Sequence, residues 1–217
     1  MTHEMTMSLT VSSAATLFML GGFHGINPGM GWLLAVALGM QEHRRAAVWR
    51  ALLPLGAGHA LAIAGAAAVA LLAGAVVPIH MLRWIVAAVL IGLGASRLIR
   101  HRHPRWAGMR VGMWGLLLWS FLMASAHGAG LMVLPVFINM AAPDTHAACH
   151  TFTATTPAAA AVLGSLVHAL GYLAVSAAVA LLVFDKLGLG LLRKAWFNLD
   201  LIWAGTLIAT GLVTALS

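Results

Sequence analysis

The sequence predicts an all-α integral membrane protein with six transmembrane helices, arranged as two inverted three-helix repeats. Three observations carry this. Hydrophobic residues make up 62% of the 217-residue chain and charged ones 8%, with a mean hydropathy of +0.96; a soluble domain of this size needs far more polar surface. Six apolar runs are long enough for a hydrocarbon core of ~30 Å, which takes ~20 helical residues. The third observation is that the second half of the chain repeats the first.

The runs fall at roughly 12–40, 46–74, 81–99, 111–141, 158–184 and 199–216. Alternating decamers of the β-barrel kind are absent, so the spans read as helices, whose backbone groups are satisfied within each segment. No Lys or Arg precedes the first apolar stretch within residues 1–22. The first helix therefore reads as a retained span and not as a cleaved signal peptide. The chain is one membrane domain, 1–217: repeat 1 over about 12–99, a basic linker over 100–110, and repeat 2 over about 111–217.

The repeat is visible in the residues. Phe23-His24-Gly25 and Gly58-His59-Ala60-Leu61 are echoed by Ala126-His127-Gly128 and Val167-His168-Ala169-Leu170. The run AAVALL at 67–72 recurs at 177–182, and the offsets of 103, 109 and 110 residues differ by a short length change.

Charge distribution orients the copies. The net charge is +7, yet all but Arg83 of the twelve Lys and Arg residues fall in alternate loops. Arg44, Arg45 and Arg50 follow helix 1; Arg97, Arg100, Arg102, Arg105 and Arg110 separate helices 3 and 4; Lys186, Arg193 and Lys194 separate helices 5 and 6. The positive-inside rule places these loops in the cytoplasm and both termini outside. A bacterial inner membrane, with periplasmic termini, is the expected location. The basic surface then serves topology and anionic lipid, with no nucleic acid as partner. Three helices per half is an odd number, so the second copy enters the membrane upside down, and such folds place their substrate site near mid-depth on the pseudo-two-fold axis.

His24, His59, His127 and His168 all lie within apolar runs, where a polar ring is costly and points to function. At ~1.5 Å per residue, His24 and His168 lie ~18 and ~15 Å from the outer ends of their helices. His59 and His127 lie ~20 and ~24 Å from the inner ends of theirs. All four can share one layer near the midplane. Neutral imidazole suits Ni²⁺, Co²⁺, Zn²⁺ and copper, and suits Mg²⁺ and Ca²⁺ poorly. The spans contain no Glu, and Asp200 sits at the inner end of helix 6, so a hard-cation site is not expected. A histidine site also exchanges metal for protons, which supplies a coupling mechanism. The bland alternative is that each ring donates to a neighbouring helix carbonyl.

Helix 1 carries a second signal. Asn27-Pro28-Gly29-Met30-Gly31 breaks the helix within the bilayer, since Pro28 lacks an N–H and disfavours helical geometry before it. The freed carbonyls need protein, water or a solute as partners. Asn27 follows His24 by three residues and shares its face if the helix continues, which makes it a candidate substrate-binding residue. Gly128, Gly130 and Pro135 form a looser counterpart in helix 4, while Gly21, Gly25 and Gly29 form a small-residue stripe suited to close packing.

Asn27-Pro28-Gly29-Met30-Gly31-Trp32, then Gly39, a short basic loop, and Gly56, Gly58 and Gly65, resemble the LysE/RhtB superfamily of exporters. That superfamily also includes nickel/cobalt, cadmium and manganese transporters and thiol redox relays. The resemblance implies six helices in a 3+3 repeat and a transport function, closest in character to the transition-metal branches. The sequence departs from the nickel/cobalt branch in lacking its His-x4-Asp-His cluster. It departs from the redox relays in having no membrane cysteine, because Cys149, the one cysteine, falls in an outer loop.

The expected function is thus transport of a transition-metal cation (nickel, cobalt, zinc or copper class), coupled to protons, with the metal as cargo and no permanent cofactor. The bilayer and the ion are the expected partners, and a homo-oligomer is compatible with the sequence. His3, His146, Cys149 and His150 are candidate outer capture ligands. Two alternatives stand beside this reading: an exporter of amino acids or another small organic solute, and, less favoured, a haem-binding electron carrier using paired histidines. No nucleophile–base or carboxylate pair is visible, so an enzyme is not expected. Trp84, Trp106, Trp114, Trp119, Trp196 and Trp203 lie near span ends and read as an interfacial belt.

Overall fold

The computed structural model describes residues 7–74, 76–99, 112–140, 151–187 and 199–216. Helix dominates, and each apolar run becomes helical close to its expected bounds. The first run is α1 (Val11–Ile26), a 3₁₀ turn (Pro28–Met30) and α2 (Trp32–Glu42); α3 (Arg45–Gly74) and α4 (Ile79–Ile99) follow. The second half supplies α5 (Met113–Ala126), α6 (Ala129–Met140), α7 (Pro157–Leu182) with a π-helical turn at Val183–Leu187, and α8 (Leu199–Leu216).

Length and composition together let Arg45–Gly74 and Pro157–Lys186 cross a membrane as single helices. Met113–Ala126 with Ala129–Ile138 makes a third if this pair, bent by 62°, is one span. The apolar parts of α1, α4 and α8 are shorter, 10–17 residues each. The described helices therefore provide two or three spans by these criteria, fewer than the six expected.

One element lies outside the all-helical expectation. A strand at Met7–Thr10 pairs antiparallel with Thr151–Thr155. It joins the residues leading into α1 to those leading into α7, so both helices start from one end of the bundle. Thr10 and Thr156 then cap their helices by accepting from Ser13 N and Ala159 N, satisfying N–H groups that a helix start leaves free.

Small residues set the helix pairs. A Cβ at Gly21 would run into the His168 carbonyl, one at Gly25 into the Tyr172 carbonyl, and one at Gly171 into the Phe18 carbonyl. Backbone therefore touches backbone along α1 and α7, which run parallel. Gly58 meets the Leu117 carbonyl in the same way, and Ser120 donates to the Leu55 carbonyl at 2.6 Å, joining α3 to α5. α3 crosses α7 in the opposite sense: Gly56 lies against Leu173, while His59 lies against Tyr172 and His168. Gly94 and Gly211 let α4 and α8 interlock reciprocally, Gly94 against Ala204 and Gly211 against Ala87. The pairs thus exchange between halves, α1 with α7 and α5 with α3.

Many large apolar side chains face outward, while the polar rings and hydroxyls face inward among a buried apolar core. Met19, Leu53, Val69, Leu72, Leu166 and Leu170 are all exposed, whereas His24, His59, His168, Ser120 and Ser176 are wholly buried. Apolar surface this extensive asks for an apolar surrounding. At the far end of α7 from the strands, Asp185 pairs with Arg45 while Arg50 pairs with Glu42. The α2–α3 turn and the end of α7 therefore share one end of the bundle.

Candidate functional site

The helix-1 break occupies Asn27–Gly31. Asn27 is extended (φ −70°, ψ 118°), so the helix does not continue and Asn27 does not share a helical face with His24. Its side-chain oxygen accepts from Gly29 N at 2.9 Å, capping the 3₁₀ turn. That gives the buried amide a local structural task. Gly31 stands at φ +120°, a conformation L side chains rarely adopt, and a Cβ there would strike Leu55.

Every carbonyl along the break has a partner. Gly25 O accepts from Ser176 Oγ (3.3 Å), Ile26 O from Trp32 Nε1 (3.0 Å), Gly29 O from Trp119 Nε1 (3.2 Å) and Met30 O from Tyr172 Oη (2.8 Å). Backbone N–H groups of Asn27, Met30, Gly31 and Leu34 serve the carbonyls of His24, Asn27, Pro28 and Gly31. The freed backbone is thus satisfied by protein, with side chains of α5 and α7 reaching across. Helix 4 breaks at His127–Gly128, between α5 and α6; Gly128 takes φ +70°, and the His127 carbonyl accepts from Trp203 Nε1 at 3.0 Å. Pro135 lies inside α6 and does not break it.

Three of the four histidines meet. Ring centroids stand 5.5 Å apart for His24 and His59, 5.0 Å for His24 and His168, and 5.3 Å for His59 and His168. His59 Nε2 and His168 Nε2 face each other at 3.2 Å. The rings come from α1, α3 and α7, and so from both halves of the chain.

His127 stands beyond this triangle. Trp203 lies edge-on to both His24 (4.7 Å, 83°) and His127 (5.7 Å, 77°) and stacks on Phe23 (5.1 Å). The indole thus packs against both rings, at the side of the triangle. Position explains it: His24 belongs to the last turn of α1, whereas His127 is the cap beyond the end of α5. Trp203 is 3% exposed and belongs to the core, not to an interfacial belt. Trp119 serves the break, while Trp84 and Trp114 are exposed as belt residues would be.

Hydrogen bonding assigns the nitrogens. His24 Nδ1 donates to the Leu20 carbonyl at 2.6 Å, so the ring's lone pair lies on Nε2, which is buried without a partner. Between His59 and His168, one Nε2–H must donate and the other Nε2 accept. The accepting ring then carries its proton on Nδ1; the Leu17 carbonyl lies beside the His168 ring as an acceptor, whereas His59 Nδ1 is buried without a partner. His24 Nε2 and His59 Nδ1 are thus left without partners in an apolar core, where each costs ~1–3 kcal/mol. His127 Nδ1 likewise donates to the Met123 carbonyl at 2.8 Å, so three of the four rings have a helix carbonyl as partner.

Among the described residues, no group of three or more His, Cys, Asp or Glu side chains is placed to hold a metal ion as it stands. Two nitrogens on one ion at bonds of ~2.0–2.1 Å stand roughly 3.3 Å apart, close to the His59–His168 separation. The His24 ring would have to turn its Nε2 toward that pair.

The sequence left two features unread. Tyr172 stacks on His59 at 4.1 Å between centroids and 8° between planes, and a tyrosine one turn after His168 was its only signal. Trp203 looked like a span-end residue because its neighbours in space lie on other helices. His3, His146, Cys149 and His150 lie outside the described residues. A cleft of about 560 Å³ opens among α3, α4, α5 and α6, lined by Ala62, Val86, Phe121, Ser125 and Gly128 among others, and it contains none of the three clustered rings.

No family model, curated protein or solved structure matches this chain.

Proposed function

We propose that this chain is an integral membrane transporter of a transition-metal cation, with His24, His59 and His168 as the ligands that hold it in transit. The observation that carries the reading is the His59–His168 nitrogen pair at 3.2 Å beside a third imidazole whose own free nitrogen is already the ligating tautomer. A metal-bound histidine characteristically donates its other N–H to a carbonyl, as His24 does to Leu20. An ion at the centre would replace the Nε2–H···Nε2 hydrogen bond by coordination of both Nε2 atoms.

The exchanged helix pairs support the architecture proposed with it: six spans as two inverted three-helix units, with α1/α2 and α5/α6 as broken spans. Three-helix units of opposite direction would produce α1 parallel to α7, α3 parallel to α5, and antiparallel α3/α7 and α4/α8 crossings. Membership in a LysE/RhtB-like superfamily, an inner-membrane location and outward termini belong to the same proposal. His127 is assigned a place beside the path, behind Trp203. Proton exchange at the same imidazoles couples the cycle.

For the organic-solute alternative, the lining of the α3–α6 cleft carries one hydroxyl, Ser125, and no ionisable group to hold an amino acid. For the haem alternative, His59 and His168 cannot be the two axial ligands of one haem as they stand, since nitrogens 3.2 Å apart admit no porphyrin between them. Flux into proteoliposomes tests the proposal. His59→Ala, His168→Ala and His24→Ala should each abolish metal flux in protein that remains folded. Wild-type flux in the His59→Ala/His168→Ala double variant would overturn it.

A further inference from the structure

We infer that the cargo is a monovalent d¹⁰ cation of the Cu(I) class and not a divalent nickel, cobalt or zinc ion. The inference rests on the metal-transport reading above and narrows it by charge and coordination number.

Charge comes first. The cluster offers three neutral imidazoles and no compensating anion. Among the described side chains, the acidic groups are Glu42 and Asp185, both at one end of the bundle and both paired with arginine. The self-energy of a buried ion rises with the square of its charge, so a dication here is disfavoured about fourfold more than a monocation. Sites for divalent cargo recover that difference with carboxylates, and this one has none.

Coordination number points the same way. The three clustered histidines are wholly buried. The hydroxyls of Tyr172, Ser176 and Ser120 each donate to a backbone carbonyl, as do the indoles of Trp119 and Trp203. Tyr172 lies flat on one ring and Trp203 edge-on to another. What remains for an ion is the facing His59 and His168 nitrogens, with His24 Nε2 as a third once its ring turns. Zinc takes four ligands and other divalent ions of this row take four to six, while Cu(I) accepts two or three.

Ag(I) is a redox-stable probe of the same charge and electron count. The full-length protein in lipid nanodiscs, in chloride-free buffer, should bind Ag(I) in competition with a chelator. His168→Ala, and separately the milder His168→Gln, should weaken the tight site by about a hundredfold or more, whereas His127→Ala should leave it in place. A hundredfold excess of Zn(II), Ni(II) or Co(II) should not displace the ion. X-ray absorption of the Cu(I)-loaded protein should give nitrogen neighbours only.

Histidine-dependent binding of a divalent ion as tight as Ag(I) would overturn the monovalent inference and leave the transport proposal standing. Metal binding that none of the three histidines affects, in variants with wild-type thermal unfolding, would overturn both. A sulfur-rich shell around Cu(I) would move the site to the methionines and Cys149 and refute this assignment.

Discussion

Tyr172 lies flat on His59, 4.1 Å between ring centroids, while its hydroxyl donates to the Met30 carbonyl 2.8 Å away. One side chain thereby fixes the plane of a candidate ligand and caps the helix break. Tyr172→Phe keeps the stack and leaves the Met30 carbonyl unsatisfied, for an expected loss of about 1–3 kcal/mol. Tyr172→Ala also opens a cavity and should lose about 3–5 kcal/mol. Unfolding in detergent measures both, and metal affinity should fall far more in Ala than in Phe. Equal affinities would show that the stack does not position His59.

The glycines divide by what faces them. Gly21→Leu and Gly171→Leu drive a side chain into the backbone of the opposing helix, so α1 and α7 should separate and the protein should fail to fold stably. Gly65→Ala, with nothing within 4 Å of its added carbon, should stay within about 0.5 kcal/mol of wild type. Expression in membranes and thermal unfolding distinguish the two classes.

Gly31→Ala should destabilise by about 1–3 kcal/mol through backbone strain at φ +120°, and further through collision with Leu55. Shortening that neighbour separates the two causes. In a Leu55→Ala background the collision disappears and the strain stays, so the Gly31→Ala penalty should shrink without vanishing.

His127 lies outside the triangle of the other three rings, with Trp203 packed edge-on against it and against His24. His127→Ala should therefore leave metal affinity near wild type and act, if at all, on flux. Trp203→Phe removes the hydrogen bond to the His127 carbonyl and should lose about 1–3 kcal/mol. A large loss of equilibrium metal binding in His127→Ala would place that ring in the site after all.

The Arg45–Asp185 pair ties the start of α3 to the end of α7, but its side chains are 63% and 28% exposed. Asp185→Asn should change stability by no more than about 1 kcal/mol, with the difference shrinking as salt is raised. A salt-independent loss would mean that this end of the bundle is held more rigidly than an exposed pair allows.

The sequence by itself determined where the helices lie and where the first one breaks. Hydrophobic runs and the Pro28–Gly29 pair act through nearest neighbours along the chain, so the expected bounds of 12–40 and 46–74 became Val11–Glu42 and Arg45–Gly74. The doubled histidines were legible for the same reason, because a polar ring in an apolar run is costly whatever surrounds it. Depth counting along the helix axes placed four histidines in one layer. It could not give their azimuths. Only the tertiary structure decided that three rings meet and that Trp203 stands before the fourth. It alone supplied the partners of the freed carbonyls, from Trp119, Tyr172 and Ser176, which lie 90 to 151 residues away in sequence. The physical reason is register. How far α7 slides along α1, and which face it turns, is set by backbone contact at Gly21, Gly25 and Gly171. A slip of one helical turn, ~5.4 Å, would carry His168 away from His59 without changing any local property of either helix.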